Sequence, residues 1–140
     1  MVRILTFCVT MAGLAPTAMA QVVVIANKSV PVTSIVSREL IDIYTLNIQR
    51  WEDGTRITVY DIKGGGRVKE AFYGFLEIKP EAMKRVWIGK QFSGKAMPPQ
   101  TEESEQEIVD HVARTPGAIA YVSTGAARGR NDVKIIIEIR

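Results

Sequence analysis

Few residues in this chain could do chemistry, and most of those that could are gathered in one turn. Asp61-Ile62-Lys63-Gly64-Gly65-Gly66-Arg67 sets three glycines between two cations. Glycine reaches backbone conformations closed to other residues, so a glycine run can aim several amides at one point. A helix start adds amides without partners and a partial positive charge. A strand, a glycine turn and a helix in that order can therefore hold an anion. Lys63 and Arg67 would supply charge, and Gly64, Gly65 and Gly66 would supply amides. The plain alternative is a flexible connection, since glycine runs also serve that purpose.

Other groups carry less. Ser93-Gly94-Lys95 joins a hydroxyl and a cation in a second small loop, either an addition to an anion site or a solvated connection. His111 is the only histidine. It lies beside Ile108 and Val112 in a helical pattern and reads as a surface or half-buried residue, because a metal needs several ligands. The acids between Glu102 and Glu107 suit the dipole of a helix start. No nucleophile elbow surrounds any serine or threonine, and no acid–base pair stands out. The residues suggest no cofactor, no metal site and no enzyme. Tyr44, Trp51, Phe72, Phe75, Trp87 and Phe92 fall at core-facing spacings and read as packing. Trp51, which precedes a turn, is the best exception.

The elements around the turn follow from hydrophobic pattern. Val22 to Ala26 is an unbroken β-branched run, the mark of a strand covered on both faces. Ser37 is placed to cap a helix over 38–45 that buries Leu40, Ile41 and Tyr44. Arg56 to Tyr60 reads as a strand entering the glycine turn. Val68, Ala71, Phe72 and Phe75 then have the spacing of one buried helix face. Pro80 opens another helix with Met83, Val86 and Trp87. The segment 93–99 reads as loop. Ser104 and Glu107 form a capping-box pattern for a helix ending near Thr115. Pro116-Gly117 stops it, and strands over 117–123 and 133–139 follow, separated by a polar loop. The order predicts an α/β sandwich with a mixed sheet of about four strands flanked by helices.

The chain has 140 residues, which allows one domain. Residues 1–20 combine Arg3, an apolar run from Ile4 to Leu14 and the small-residue pattern Ala18-Met19-Ala20. This is a secretory signal pattern with cleavage expected before Gln21, leaving one domain over 21–140. Cys8, the only cysteine, lies inside the signal, so the exported part has neither disulfide nor thiolate metal site. Of 18 basic residues the signal takes one, leaving 17 against 15 acidic. That near balance argues against nucleic acid as a partner. No later segment is apolar enough to span a membrane.

A resemblance runs through most of the exported part. Ser37-Arg-Glu-Leu-Ile-Asp-Ile-Tyr44 with Trp51-Glu-Asp-Gly54, then Phe92-Ser-Gly94, then Pro116-Gly-Ala-Ile-Ala-Tyr-Val122 resemble, in order, motifs of the phosphate-type periplasmic substrate-binding proteins of ABC transporters. The resemblance covers Val22 to Val122. It implies a periplasmic protein with the fold of a single lobe, the one that carries an Arg-x-x-x-Ser-Gly-Thr phosphate loop in that family. A single lobe leaves its cleft-facing surface open to a protein partner: an ABC transporter, a sensor protein or another copy of itself. The stretch at that loop here is Asp61 to Arg67. Its hydroxyls are missing, and in one register Asp61 replaces the arginine, which would repel phosphate. The expectation is an exported solute-binding protein that takes phosphate or another oxyanion at Lys63, Gly64, Gly65, Gly66 and Arg67. The alternative is a periplasmic protein–protein interaction module without high-affinity anion binding.

Overall fold

All six residues of Val22–Asn27 (β1) are buried, as its unbroken β-branched pattern requires. β1 pairs antiparallel with Ala118–Ser123 (β4) on one side and with Val133–Ile139 (β5) on the other. Thr58–Ile62 (β2) lies parallel to β4, and Gln100–Glu102 (β3) lies parallel to β2. The order across the sheet is β3-β2-β4-β1-β5. The computed structural model describes residues 12–13 and 21–140. Apart from residues 12–13, the signal segment 1–20, with Cys8, lies outside the described residues.

The helices are Ser37–Tyr44 (α1), Arg67–Leu76 (α2), Pro80–Phe92 (α3), Glu105–Arg114 (α4) and the single turn Thr124–Ala127 (α5). Period-two alternation sends neighbouring residues of a strand to opposite faces. Tyr121 of β4 stacks on Phe72 of α2, with ring centroids 4.0 Å apart. On the other face, Tyr60 of β2 meets His111 of α4 edge-on at 5.7 Å. The sheet is thus covered by α2 on one side and α4 on the other. The mixed α/β sandwich is the expected class, with five strands rather than about four. β3 gave no sequence signal because it is a three-residue edge strand without apolar alternation.

Several local expectations shift. Ser37 does not cap α1. The Leu40 amide already donates to the Val36 carbonyl at 3.1 Å, so Ser37 is the first helical residue and Val36 occupies the cap. The buried face of α2 is Lys69, Phe72, Tyr73 and Leu76. That face is one residue on from the predicted Val68, Ala71, Phe72 and Phe75. Phe92 is 94% exposed. It lies five residues past buried Trp87, a rotation of about 140° off that face. Trp51 proves to be packing. It is buried and donates its indole N–H to the Gly117 carbonyl at 2.9 Å.

Candidate functional site

β2, β3 and β4 are mutually parallel, so their C-terminal ends share one end of the sheet. The glycine turn stands there. Gly64 and Gly66 have φ of +80° and +128°, values that select glycine. The Lys63 amide donates to the Glu102 carbonyl at 2.9 Å, which pins the start of the turn to β3. Gly66 occupies the cap of α2 and has no side chain to offer. Among the described residues, the amides of Gly64, Gly65, Gly66, Arg67 and Val68 donate to no acceptor. α4 and α5 at the same end differ, since Ser104 and Ser123 cap them.

The structure brings all five expected residues together, but with unequal freedom. Lys63 and Arg67 are both exposed. Lys63 pairs with Glu103 at 3.4 Å, a solvent-screened contact. The Arg67 side chain has no hydrogen bond or ion pair among the described residues. Open amides beside a free guanidinium form an arrangement that can receive an anion.

Beneath the turn lies a charged group that pattern reading missed. Asp61, 2% exposed, holds three donors. Tyr121 and Tyr73 donate to Oδ1 at 2.5 and 3.1 Å, and Lys69 Nζ is 3.3 Å from Oδ2. Lys69 also donates to the Ile62 carbonyl at 2.7 Å. It thereby ties the last residue of β2 to the first turn of α2. Burial first, and the Asp61 charge next, push the Tyr73 and Tyr121 phenols well above their ordinary value, so both remain donors. Asp61 therefore spends its charge on a buried ammonium and two phenols rather than on the turn. The signal was available: Lys69, Phe72, Tyr73 and Leu76 have the same spacing as the face that was read, but a lysine within it hid the pattern.

The remaining candidates lie elsewhere. The Ser93-Gly94-Lys95 loop follows α3, and the Gln49 side chain donates to its Lys95 carbonyl at 3.2 Å. Gln49 also accepts the amide of Ile57, just ahead of β2, so this loop sits toward the N-terminal end of that strand and away from the glycine turn. His111 is half-buried and lies 3.6 Å from Glu102. Among the described residues, no three His, Cys, Asp or Glu side chains could hold a metal, and no helix is long and apolar enough to cross a membrane.

Solved structures superimpose closely on this frame. A protein from Clostridium perfringens, assigned as a phosphate ABC transporter substrate-binding protein and holding phosphate, aligns over 85% of this chain with a TM-score of 0.68 and 21% identity. An ABC-type phosphate transport receptor from Vibrio cholerae aligns over 85% with a TM-score of 0.66 and 17% identity. PstS from Borrelia burgdorferi aligns over 86% with a TM-score of 0.64 and 16% identity. The fold is that of a phosphate-type periplasmic binding protein. The chain spans 45%, 46% and 48% of those three proteins, respectively, and matches a single lobe of such a fold. No protein-family model and no curated protein matches the sequence.

Proposed function

We propose that this protein is an exported solute-binding protein that takes an oxyanion of the phosphate class at the turn Lys63, Gly64, Gly65, Gly66 and Arg67. The observation that carries the reading is the run of open amides from Gly64 to Val68 at the uncapped start of α2, beside the free Arg67. The fold, shared with the phosphate-holding protein from Clostridium perfringens and the phosphate transport receptor from Vibrio cholerae, supports the ligand class. An anion at this turn accepts from backbone amides and from Arg67, the charge-assisted and strongest of these donors. Lys63 is shared with Glu103 and contributes less, and salt weakens binding by screening both cations from the anion. The role needs no catalytic group. An ABC transporter or sensor protein is the partner such a lobe would serve.

The test is a thermal-shift series with phosphate, sulfate and chloride at matched ionic strength. A ligand at a hundred times its dissociation constant adds about 2.7 kcal/mol, which moves the midpoint of a domain this size by several degrees. The expected result is a shift with a tetrahedral oxyanion that Arg67→Ala removes. Equal small shifts with all three anions, or an Arg67→Ala variant that responds as the parent does, overturn the reading.

A further inference from the structure

The other end of β2 opens a cavity. β3 pairs with β2 only from Tyr60 to Ile62. Pro98 and Pro99, which precede β3, have no amide hydrogen and cannot extend the ladder toward the start of β2. A hollow of about 450 Å³ lies along Arg56 to Val59 instead. That volume falls in the range of small-molecule sites. The sheet edge there is not an open ladder, because the Ile57 amide already donates to Gln49 O at 2.9 Å. Recognition at this place therefore falls to side chains.

Gln49, Thr58 and Gln100 add uncharged polar groups to the lining, beside apolar residues and one cation. Leu46, Ile57 and Val59 are buried and form an apolar floor. Ile48 and Met97 stand at the rim, 37% and 65% exposed, two of the few large apolar side chains left to solvent among the described residues. Arg56 is the one charged residue of the lining, and no acid lines it. Its guanidinium makes no hydrogen bond or ion pair among the described residues. A free guanidinium fits a carboxylate with two parallel hydrogen bonds. The floor and rim fit an apolar body.

We propose that this cavity binds a small apolar monocarboxylate, its carboxylate on Arg56 and its hydrocarbon covering Ile48 and Met97. The site lies at the opposite end of β2 from the glycine turn and does not depend on the reading of that turn.

The experiment is a titration followed by the NMR signal of the Met97 methyl group and by calorimetry. The probes are octanoate and octanol below their aggregation limits, with phosphate as control. Saturable octanoate binding that moves the Met97 methyl, and that Arg56→Gln weakens about tenfold or more, is the expected result. Octanol, which lacks the carboxylate, should bind more weakly and lose little in Arg56→Gln. Arg56 is exposed, so this variant keeps its fold. A second variant, Arg67→Ala, leaves octanoate binding unchanged. The proposal is overturned if octanoate does not bind, if it leaves the Met97 methyl unmoved, or if it binds parent and Arg56→Gln equally. It is also overturned if octanol binds as well as octanoate, or if phosphate moves the Met97 methyl as octanoate does.

Discussion

Replacing Lys69 with methionine strips the cation from a buried carboxylate. Lys69 and Asp61 are 6% and 2% exposed, so water cannot take the place of the lost ammonium. Removing one partner of a buried ion pair costs about 3–5 kcal/mol. The Ile62 carbonyl, which accepts from Lys69 at 2.7 Å, loses its side-chain donor within the same change. Domains of this size hold about 5–15 kcal/mol in all, so Lys69→Met consumes a large share of the stability. At about 3–5 °C per kcal/mol the melting midpoint falls by roughly 10–25 °C. Urea unfolding followed by circular dichroism gives the free energy directly. The double variant Asp61→Asn/Lys69→Met removes both charges and should recover half or more of the loss, because an uncharged pair has far less to desolvate. A Lys69→Met loss under about 1 kcal/mol, or a double variant no better than the single, would mean that the pair does not hold the strand to the helix as described.

Two further outcomes follow from the same core. Gly117 has φ of +76°, and a Cβ there would stand 2.2 Å from the Arg56 carbonyl oxygen; Gly117→Ala should therefore lose several kcal/mol in a urea titration, at the severe end of single substitutions. Burial and the Asp61 charge raise the phenol pKa of Tyr44, Tyr73 and Tyr121. A raised pKa means that the folded state holds its phenolic protons longer than the unfolded chain does. Their contribution to stability is thus complete below about pH 10 and is lost as pH rises beyond it. Absorbance at the tyrosinate band should show these three ionising only together with alkaline unfolding.

Pattern alone locates the elements built from long apolar runs. β1, β4 and β5 are legible because long β-branched or apolar runs leave no other reading. Ser104 caps α4 as its pattern implies, accepting from the Glu107 amide at 3.1 Å. Pattern misleads most where a polar residue is buried with a partner distant in sequence. The pattern predicts β2 over 56–60, whereas it runs over Thr58–Ile62, because Asp61 reads as a turn residue until Lys69, Tyr73 and Tyr121 are seen around it. The face of α2 slipped by one residue for the same reason. α5 was missed because one helical turn carries no periodicity, only the Ser123 cap. The glycine turn was legible from composition, but the pairing of Lys63 with Glu103 was not, since the two are forty positions apart.

The position of Asp61 bears on how an anion could be held at all. An aspartate at the mouth of the turn would oppose any oxyanion. Here it lies on the α2 face of β2, where Lys69 and two phenols engage both of its oxygens. Its field at the turn is offset by an ammonium 3.3 Å away, and opposite charges so close largely cancel at longer range. At the surface, Glu103 competes for Lys63 at 3.4 Å. Glu103→Gln would release Lys63 and leave two free cations beside the open amides. If Lys63 takes part in holding the oxyanion, that change strengthens binding and steepens its salt dependence. If the amides and Arg67 alone set the affinity, it changes neither. Asp61 and Lys69 then shape the site through the backbone they anchor, not through the charge they carry.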